Sequence, residues 1–458
     1  MTVHCTRNRE RTVRDFAPSR RRRRRVRRGH ALLALASATI FFSAGVHSQD
    51  INRTVEFEDL GFTFPLDVGA RPAGMAGAYT AVTNDAYALL YNPAGLARVK
   101  RVELSLGLEQ QRKDVGSVFF GNPTGIDTRD GGMDNVSLAF PFPTYRGNLV
   151  GAIGVHRVFS SYFNIHHSGT NETTQTIDNY LFQQTGSVYS YNLGVGVDLA
   201  AMLSGGVTFF LLDGSIDALR QFDFTYIDFV PETSIFVKDD AASDLDGYGG
   251  RIGVQFYVNR LLSGGISYTT PVWMKIEGSS VVEIVEHRDN APDNYTESRA
   301  PIESEYLLPQ RVDVGIVFSP SHALLAVDFG YADWTEAAID RKRFRDSNTL
   351  ETIFREVFSV RVGVEGDLPW LPLRIRAGYA YRPYALDYLQ ADRIDNDALT
   401  TATVNGERQQ FAFGLGGLVG DMLAIDGAYS HVRGERSLAT LEEERTSDRF
   451  VLTASYRF

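Results

Sequence analysis

Four aspartates stand close together at Asp239, Asp240, Asp244 and Asp246, with Gly247 behind them, and carboxylates at such density can hold a divalent cation. Their spacing is not that of an EF-hand loop, so they read as a solvated acidic loop. The pair His166–His167 offers imidazole, but no second histidine pair stands at ligand spacing and no metal site is expected. His156 and Ser160 are the residue types of a base and a nucleophile. They lie four apart on one strand face, without a nucleophile motif around them, and no catalytic residue is expected. The chain has one cysteine, Cys5, in a segment expected to be removed, which leaves no thiol for disulfides or thiolate metal sites. No cofactor is expected.

The remaining chemistry is charge in a confined space. Arg251, Arg311, Asp313, Asp328, Arg361, Glu365, Arg374, Arg376, Arg382 and Asp426 recur on one side of an alternating pattern. Charges enclosed together need partners or water. They pair with one another, or the arginines hold a carboxylate bidentately.

The elements that must position these residues are strands. From Val102 onward, segments of about ten residues alternate and then break, fourteen times. The expected strands lie near 102–112, 135–142, 149–159, 189–200, 202–212, 248–258, 261–270, 310–318, 322–332, 356–365, 373–383, 408–418, 421–431 and 448–458. Near the C-terminus, Phe450, Leu452, Ala454, Tyr456 and Phe458 oppose Arg449, Val451, Thr453, Ser455 and Arg457. One face suits lipid and the other a wet or packed lumen. The gaps alternate between long and short, the habit of barrels with long extracellular loops and short periplasmic turns. An even number of strands closes the sheet and leaves no edge for lipid to meet. The expected fold is therefore all-β, a closed antiparallel transmembrane barrel of about fourteen strands. Tyr189, Tyr268, Tyr331, Trp334, Tyr384 and Tyr429 are placed at strand ends, where they suit interfacial girdles or are ordinary strand aromatics.

The N-terminus reads as an export signal. Arg20 to Arg25, with Arg27 and Arg28, precede the apolar run Ala31 to Phe42 and then small residues. Cleavage fits after Val46-His47-Ser48 or after Ser43-Ala44-Gly45, and the long head before Arg20 leaves the start codon open. Removing residues 1–48 takes 12 Arg and 2 acids from totals of 46 and 56, leaving 34 and 54 and a net charge of about −20. Such a surface repels nucleic acid.

Residues 49–100 differ from the rest. They are rich in Ala and Gly, and Pro72 to Leu96 has room for one or two short helices. Here Gly69-Ala70-Arg71-Pro72-Ala73-Gly74-Met75-Ala76-Gly77-Ala78-Tyr79-Thr80 leads to Tyr91-Asn92-Pro93-Ala94-Gly95-Leu96. This segment resembles the N-terminal hatch of the FadL/TodX family, outer-membrane transporters of long-chain fatty acids and aromatic hydrocarbons. Ile266-Ser267-Tyr268-Thr269-Thr270-Pro271, Asp328-Phe329-Gly330-Tyr331 with Trp334, and Arg376-Ala377-Gly378-Tyr379-Ala380-Tyr381 also have counterparts there.

The resemblance implies three parts: a signal peptide at 1–48, a plug at 49–100 and a barrel at 101–458. In the plug, small residues fit a narrow lumen, Gly74, Gly77 and Gly95 allow tight bends, Asn92 bonds its own turn and Pro93 fixes the next φ. It implies passive uptake of long-chain fatty acids or other hydrophobic molecules, with capture outside and release past the plug or sideways at a kinked third strand. That strand holds Gly151 and Gly154, which mark a gap or are routine packing. Aromatics of the long loops, Tyr162, Phe163, Phe222, Phe224 and Phe229 among them, form a capture groove or pack on one another. Some barrels of this type act instead as scaffolds or shuttles for secreted or surface proteins. Outer-membrane lipid, lipopolysaccharide and the barrel-assembly machinery reading the last strand are the expected partners, around a monomer.

Overall fold

A computed structural model describes residues 66–119, 122–171, 175–227, 233–288, 291–339, 354–385, 388–390, 401–403, 405–420, 422–438 and 441–458. The export segment and the first part of the expected plug lie outside the described residues, as does Phe229.

Fourteen strands form the wall: β1 (Glu103–Phe119), β2 (Asn122–Phe142), β3 (Leu149–Ser160), β4 (Thr176–Ala200), β5 (Leu203–Tyr226), β6 (Thr233–Tyr257) and β7 (Leu262–Thr269). They continue as β8 (Arg311–Phe318), β9 (Ala323–Asp333), β10 (Glu356–Asp367), β11 (Leu373–Tyr381), β12 (Asn405–Val419), β13 (Leu423–Leu438) and β14 (Leu441–Arg457). Each pairs antiparallel with its neighbours, and β14 returns to β1 from Glu103↔Arg457 to Phe119↔Leu441. That last ladder closes the sheet. All fourteen strands fall where the alternation places them.

Burial is inverted relative to a soluble protein. Leu106, Leu193, Phe209, Ile252, Phe329 and Phe413 are exposed on the outer face, whereas Ser105, Asn135, Gln255, Asp328, Arg361 and Thr453 are buried within. No helix among the described residues is long and apolar enough to cross a membrane. An apolar belt around a closed sheet is what lipid selects, since every backbone polar group is paired within the wall. Phe413 lies mid-strand on this belt at 60% exposure. Phe413→Arg should destabilise the barrel in vesicles by about 2–4 kcal/mol, while Asn294→Arg above the belt should cost no more than about 0.5 kcal/mol. Urea titration of the two variants in lipid checks this.

The structure corrects the expectation of long loops. Most of these segments are strand. β4, β5 and β6 run 25, 24 and 25 residues, far beyond the membrane-facing part. With Phe163–Asn171, Val272–Arg288 and Ala291–Leu308 they build a sheet that stands above the rim. A hairpin paired in register continues as long as cross-strand pairs support it, whether or not lipid lies outside. The four aspartates accordingly lie on β6 rather than in a loop, and Asp239 bridges Arg220 at 3.1 Å. Two aromatics assigned to the interfacial girdle are inside: Trp334 is buried in a short 3-10 helix and Tyr384 is 2% exposed.

Candidate functional site

The described part of the expected plug holds two single-turn helices, α1 (Ala70–Gly74) and α2 (Ala88–Tyr91), followed by a 3-10 helix over Pro93–Arg98. Helix α1 ends where Ala76 and Gly77 take left-handed backbone, φ 51° and 73°, and Gly77 N–H donates to the Pro72 carbonyl. The 3-10 helix starts at Asn92, whose side chain accepts from Ala94 N–H at 3.2 Å, with Pro93 next. The same amide donates to Thr80 O at 2.9 Å and Val254 O at 3.2 Å, so Asn92 joins two plug segments and the wall.

Small residues on both sides set the fit. A Cβ at Gly95 would lie 2.2 Å from Thr83 Oγ1, and one at Gly74 3.0 Å from Gly414 Cα. The wall reciprocates. A Cβ at Gly206 would meet Pro93 O at 2.3 Å, and one at Gly378 the Met75 carbonyl carbon at 2.3 Å. Wall glycines scattered through the sequence are thus seats for the plug.

Charge fastens it. Arg71 donates to both oxygens of Glu365 at 2.9 and 3.0 Å, and Arg376 binds Glu365 at 2.7 Å and Asp426 at 2.6 Å. The Asp328 carboxylate accepts from Tyr79 and Thr80 N–H at 2.9 and 2.8 Å. Arg382 and Gln410 hold Asp67, and Arg449 donates to the Asp67 carbonyl. Burial raises the Tyr79 phenol well above its ordinary range and nearby Asp85 adds to this, so Tyr79 stays protonated and donates to that carboxylate.

Of the anticipated lumen charges, Arg361 pairs with Asp313, Arg376 with Glu365, and Arg374 with Asp367 at the rim. Arg251 differs. Its Nε donates to Thr269 Oγ1 at 3.0 Å and its Nη1 to Leu89 O at 2.8 Å, and no carboxylate partner stands within 4.0 Å among the described residues. It faces a cavity of about 210 Å³ above the plug. Phe159, Phe210, Leu212, Val272 and Trp334 make the apolar side of that cavity, and Arg251, Arg311, Arg361 and Asp313 the charged side.

The apolar side continues upward. Phe222 and Phe224 sit on β5 at the parity of buried Phe210 and Leu212, so they face inward. Tyr180 joins them, with ring centroids 5.3 and 5.7 Å away. From Phe224 down to Leu212 is about 40 Å at about 3.3 Å per residue, with Arg220, bridged to Asp239, at the same parity between them. Tyr162 lies instead beneath the Arg157 guanidinium, 6.0 Å from its ring centre, and Phe163 opens the strand Phe163–Asn171.

Gly151 and Gly154 stand in unbroken ladders: residues 149–156 pair with β2 on one side and β4 on the other. The irregularity of β3 comes later, at a register shift between Arg157 and Phe159. The β2–β3 ladder ends at Asn135↔His156, and side chains take over. Arg157, 2% exposed, binds Glu109 at 2.7 Å, Ser187 at 2.7 Å and Asp130; Ser160 also donates to Asp130, at 2.9 Å. Plug residue Leu66 donates its N–H to Val158 O at 2.9 Å. His156 bonds Asn192, so His156 and Ser160 are not brought together. Arg157 was missed in the sequence. The signal was its place at a lipid-facing position of the alternation, where a charge is costly.

This geometry defines a closed antiparallel β-barrel with an apolar outer belt and with residues 66–99 packed against the inside of its wall. No family model and no curated protein matches the sequence. Solved structures do. The Pseudomonas putida toluene transporter TodX superposes with a TM-score of 0.60 at 15% identity, over 86% of this chain and 100% of that one. A Pseudomonas aeruginosa FadL homologue gives 0.57 at 14%, over 85% and 98%. The Ralstonia pickettii toluene transporter TbuX gives 0.56 at 14%, over 85% and 98%. The fold is that of the FadL/TodX-type barrels, as the hatch motif implied.

Proposed function

We propose that this protein is an outer-membrane channel for passive uptake of hydrophobic molecules bearing a carboxylate, long-chain fatty acids foremost. The observation that carries this reading is Arg251, a luminal guanidinium without a carboxylate partner among the described residues, at the foot of an apolar cavity. A fatty acid matches both halves: the tail leaves water along the Phe222–Phe224 strip and the carboxylate meets Arg251. Release follows either displacement of the plug or opening of the wall where side chains replace the β2–β3 ladder. The fold shared with hydrophobic-compound channels supports the same reading.

Trp334 lines the cavity, while Trp273 and Trp370 are exposed on the outside, so Trp334 fluorescence reports occupancy in a W273F/W370F background. Dodecanoate should quench it. Arg251→Leu should weaken dodecanoate binding about 10- to 100-fold and leave dodecanol within about threefold, since a hydrogen bond to a charged group is worth about 1.5–3 kcal/mol. Equal loss for acid and alcohol would refute the headgroup role of Arg251. Absence of binding by either would favour the scaffold or shuttle reading.

A further inference from the structure

Leu66 and Asp67 line two cavities, the apolar one above and a second of about 160 Å³ against β1, β12, β13 and β14. The second is of another character. Lys113, Arg408, Arg445 and Arg449 line it, and Asp67 is its one carboxylate among the described residues. That carboxylate is already held by Arg382 at 2.9 Å and Gln410 at 3.0 Å. Arg449 is committed to Glu109 and Asp134, and Arg408 lies over the Tyr384 ring, 3.7 Å from its centre. Lys113 Nζ donates to Ser160 O at 2.9 Å, which leaves two of its three donors for the compartment.

The same walls also lack donors. Gln111 Oε1 and Gln410 Oε1 are buried without a hydrogen-bond partner among the described residues, while their nitrogens are used on Ser447 and Asp67. A buried acceptor left unmet is costly, and it asks for hydroxyls rather than for another anion. The compartment has room for about five waters at ~30 Å³ each, the size of a small headgroup.

We propose that this compartment binds an organic phosphate whose oxyanion meets Lys113 and Arg445 and whose hydroxyls donate to Gln111 and Gln410. A simple carboxylate has no hydroxyl to give, and an apolar ligand would strand every group in the wall. The same headgroup chemistry has two sources: a free polyol phosphate, or a single-chain phospholipid whose tail crosses Leu66–Asp67 into the apolar cavity. The site does not depend on Arg251, so the two readings fail separately.

The test uses the whole mature protein in nanodiscs, with calorimetric titration of glycerol 3-phosphate, inorganic phosphate and a lysophosphatidylglycerol. Dodecanoate quenching of Trp334 confirms in each variant that the lumen is intact. Glycerol 3-phosphate should bind, and Lys113→Met and Arg445→Met should each weaken it about tenfold or more, as loss of one charged hydrogen bond predicts. Gln111→Met should weaken glycerol 3-phosphate but not inorganic phosphate. Binding of the lysophospholipid alone, with the same sensitivity to Lys113→Met, supports the site and assigns the lipid as its source. Binding by none of the three, or binding unchanged in both cation variants, overturns the proposal. Inorganic phosphate binding as tightly as glycerol 3-phosphate overturns the hydroxyl assignment.

Discussion

Replacing Gly378 with leucine should unseat the plug and turn the barrel into a leaky pore. A Cβ at this position would lie 2.3 Å from the Met75 carbonyl carbon and 2.6 Å from Ala76 N. Both are plug backbone, not the far end of a side chain that can swing away. The wall cannot retreat, because Gly378 is paired with Gly363 on β10 and Ala412 on β12. Ala76 and Gly77 already hold left-handed backbone there, so the plug has little room to adjust. Overpacking of this kind costs about 1–3 kcal/mol, which shifts the docked-to-displaced ratio by about 5- to 150-fold. Single-channel conductance in planar bilayers measures it, with Ala377→Leu as control, since Ala377 points outward on the same strand. Gly378→Leu with the conductance of the parent would mean that this segment does not seal the lumen.

The parts of the molecule that were legible in the sequence are the ones written locally. Strand parity is a period of two, and it located β10, β11 and β14 because lipid and lumen impose opposite demands on neighbouring residues. The segment with the small residues and Asn92–Pro93 does pack against the inside of the wall, at Gly206, Gly253 and Gly378. The sheet above the rim was hidden for the converse reason. Where water lies outside, Asp213, Asp217 and Asp223 alternate with Ile216, Phe222 and Phe224 less regularly, and the turn-like residues between them read as loops. The pairing of the site was hidden as well. That Glu365 meets Arg71, that Gly378 seats Met75, and that Arg251 lacks a carboxylate among the described residues are consequences of closure, which joins residues hundreds of positions apart. Trp334 and Tyr384 were misplaced by the same limit: a strand-end aromatic looks alike in sequence whether it turns toward lipid or toward the lumen.

Arg157 should prove the residue that keeps the wall shut. Above Asn135↔His156, among the described residues, β2 pairs only with β1 and β3 only with β4, so no ladder between described residues spans the seam. Arg157 spans it, holding Glu109 and Asp130 while itself buried. Glu109 also binds Arg449, which binds Asp134 and the Asp67 carbonyl, so the latch connects to the plug through a continuous chain of charges. Removing one partner from a buried pair costs about 3–5 kcal/mol, because the other charges are left uncompensated. Arg157→Leu should therefore lower the barrel's melting temperature and raise the open fraction of the seam by more than about 100-fold. A second variant works in the opposite direction. Ser160 and Asp130 already touch across the seam, and the mature chain is expected to hold no other thiol, so S160C/D130C can be bridged by a short bis-methanethiosulfonate linker that a reductant removes. If hydrophobic ligands leave sideways, bridging should stop uptake in cells and reduction should restore it, while Arg157→Leu should speed it. Uptake indifferent to both changes would remove the lateral route and leave displacement of the plug as the way through.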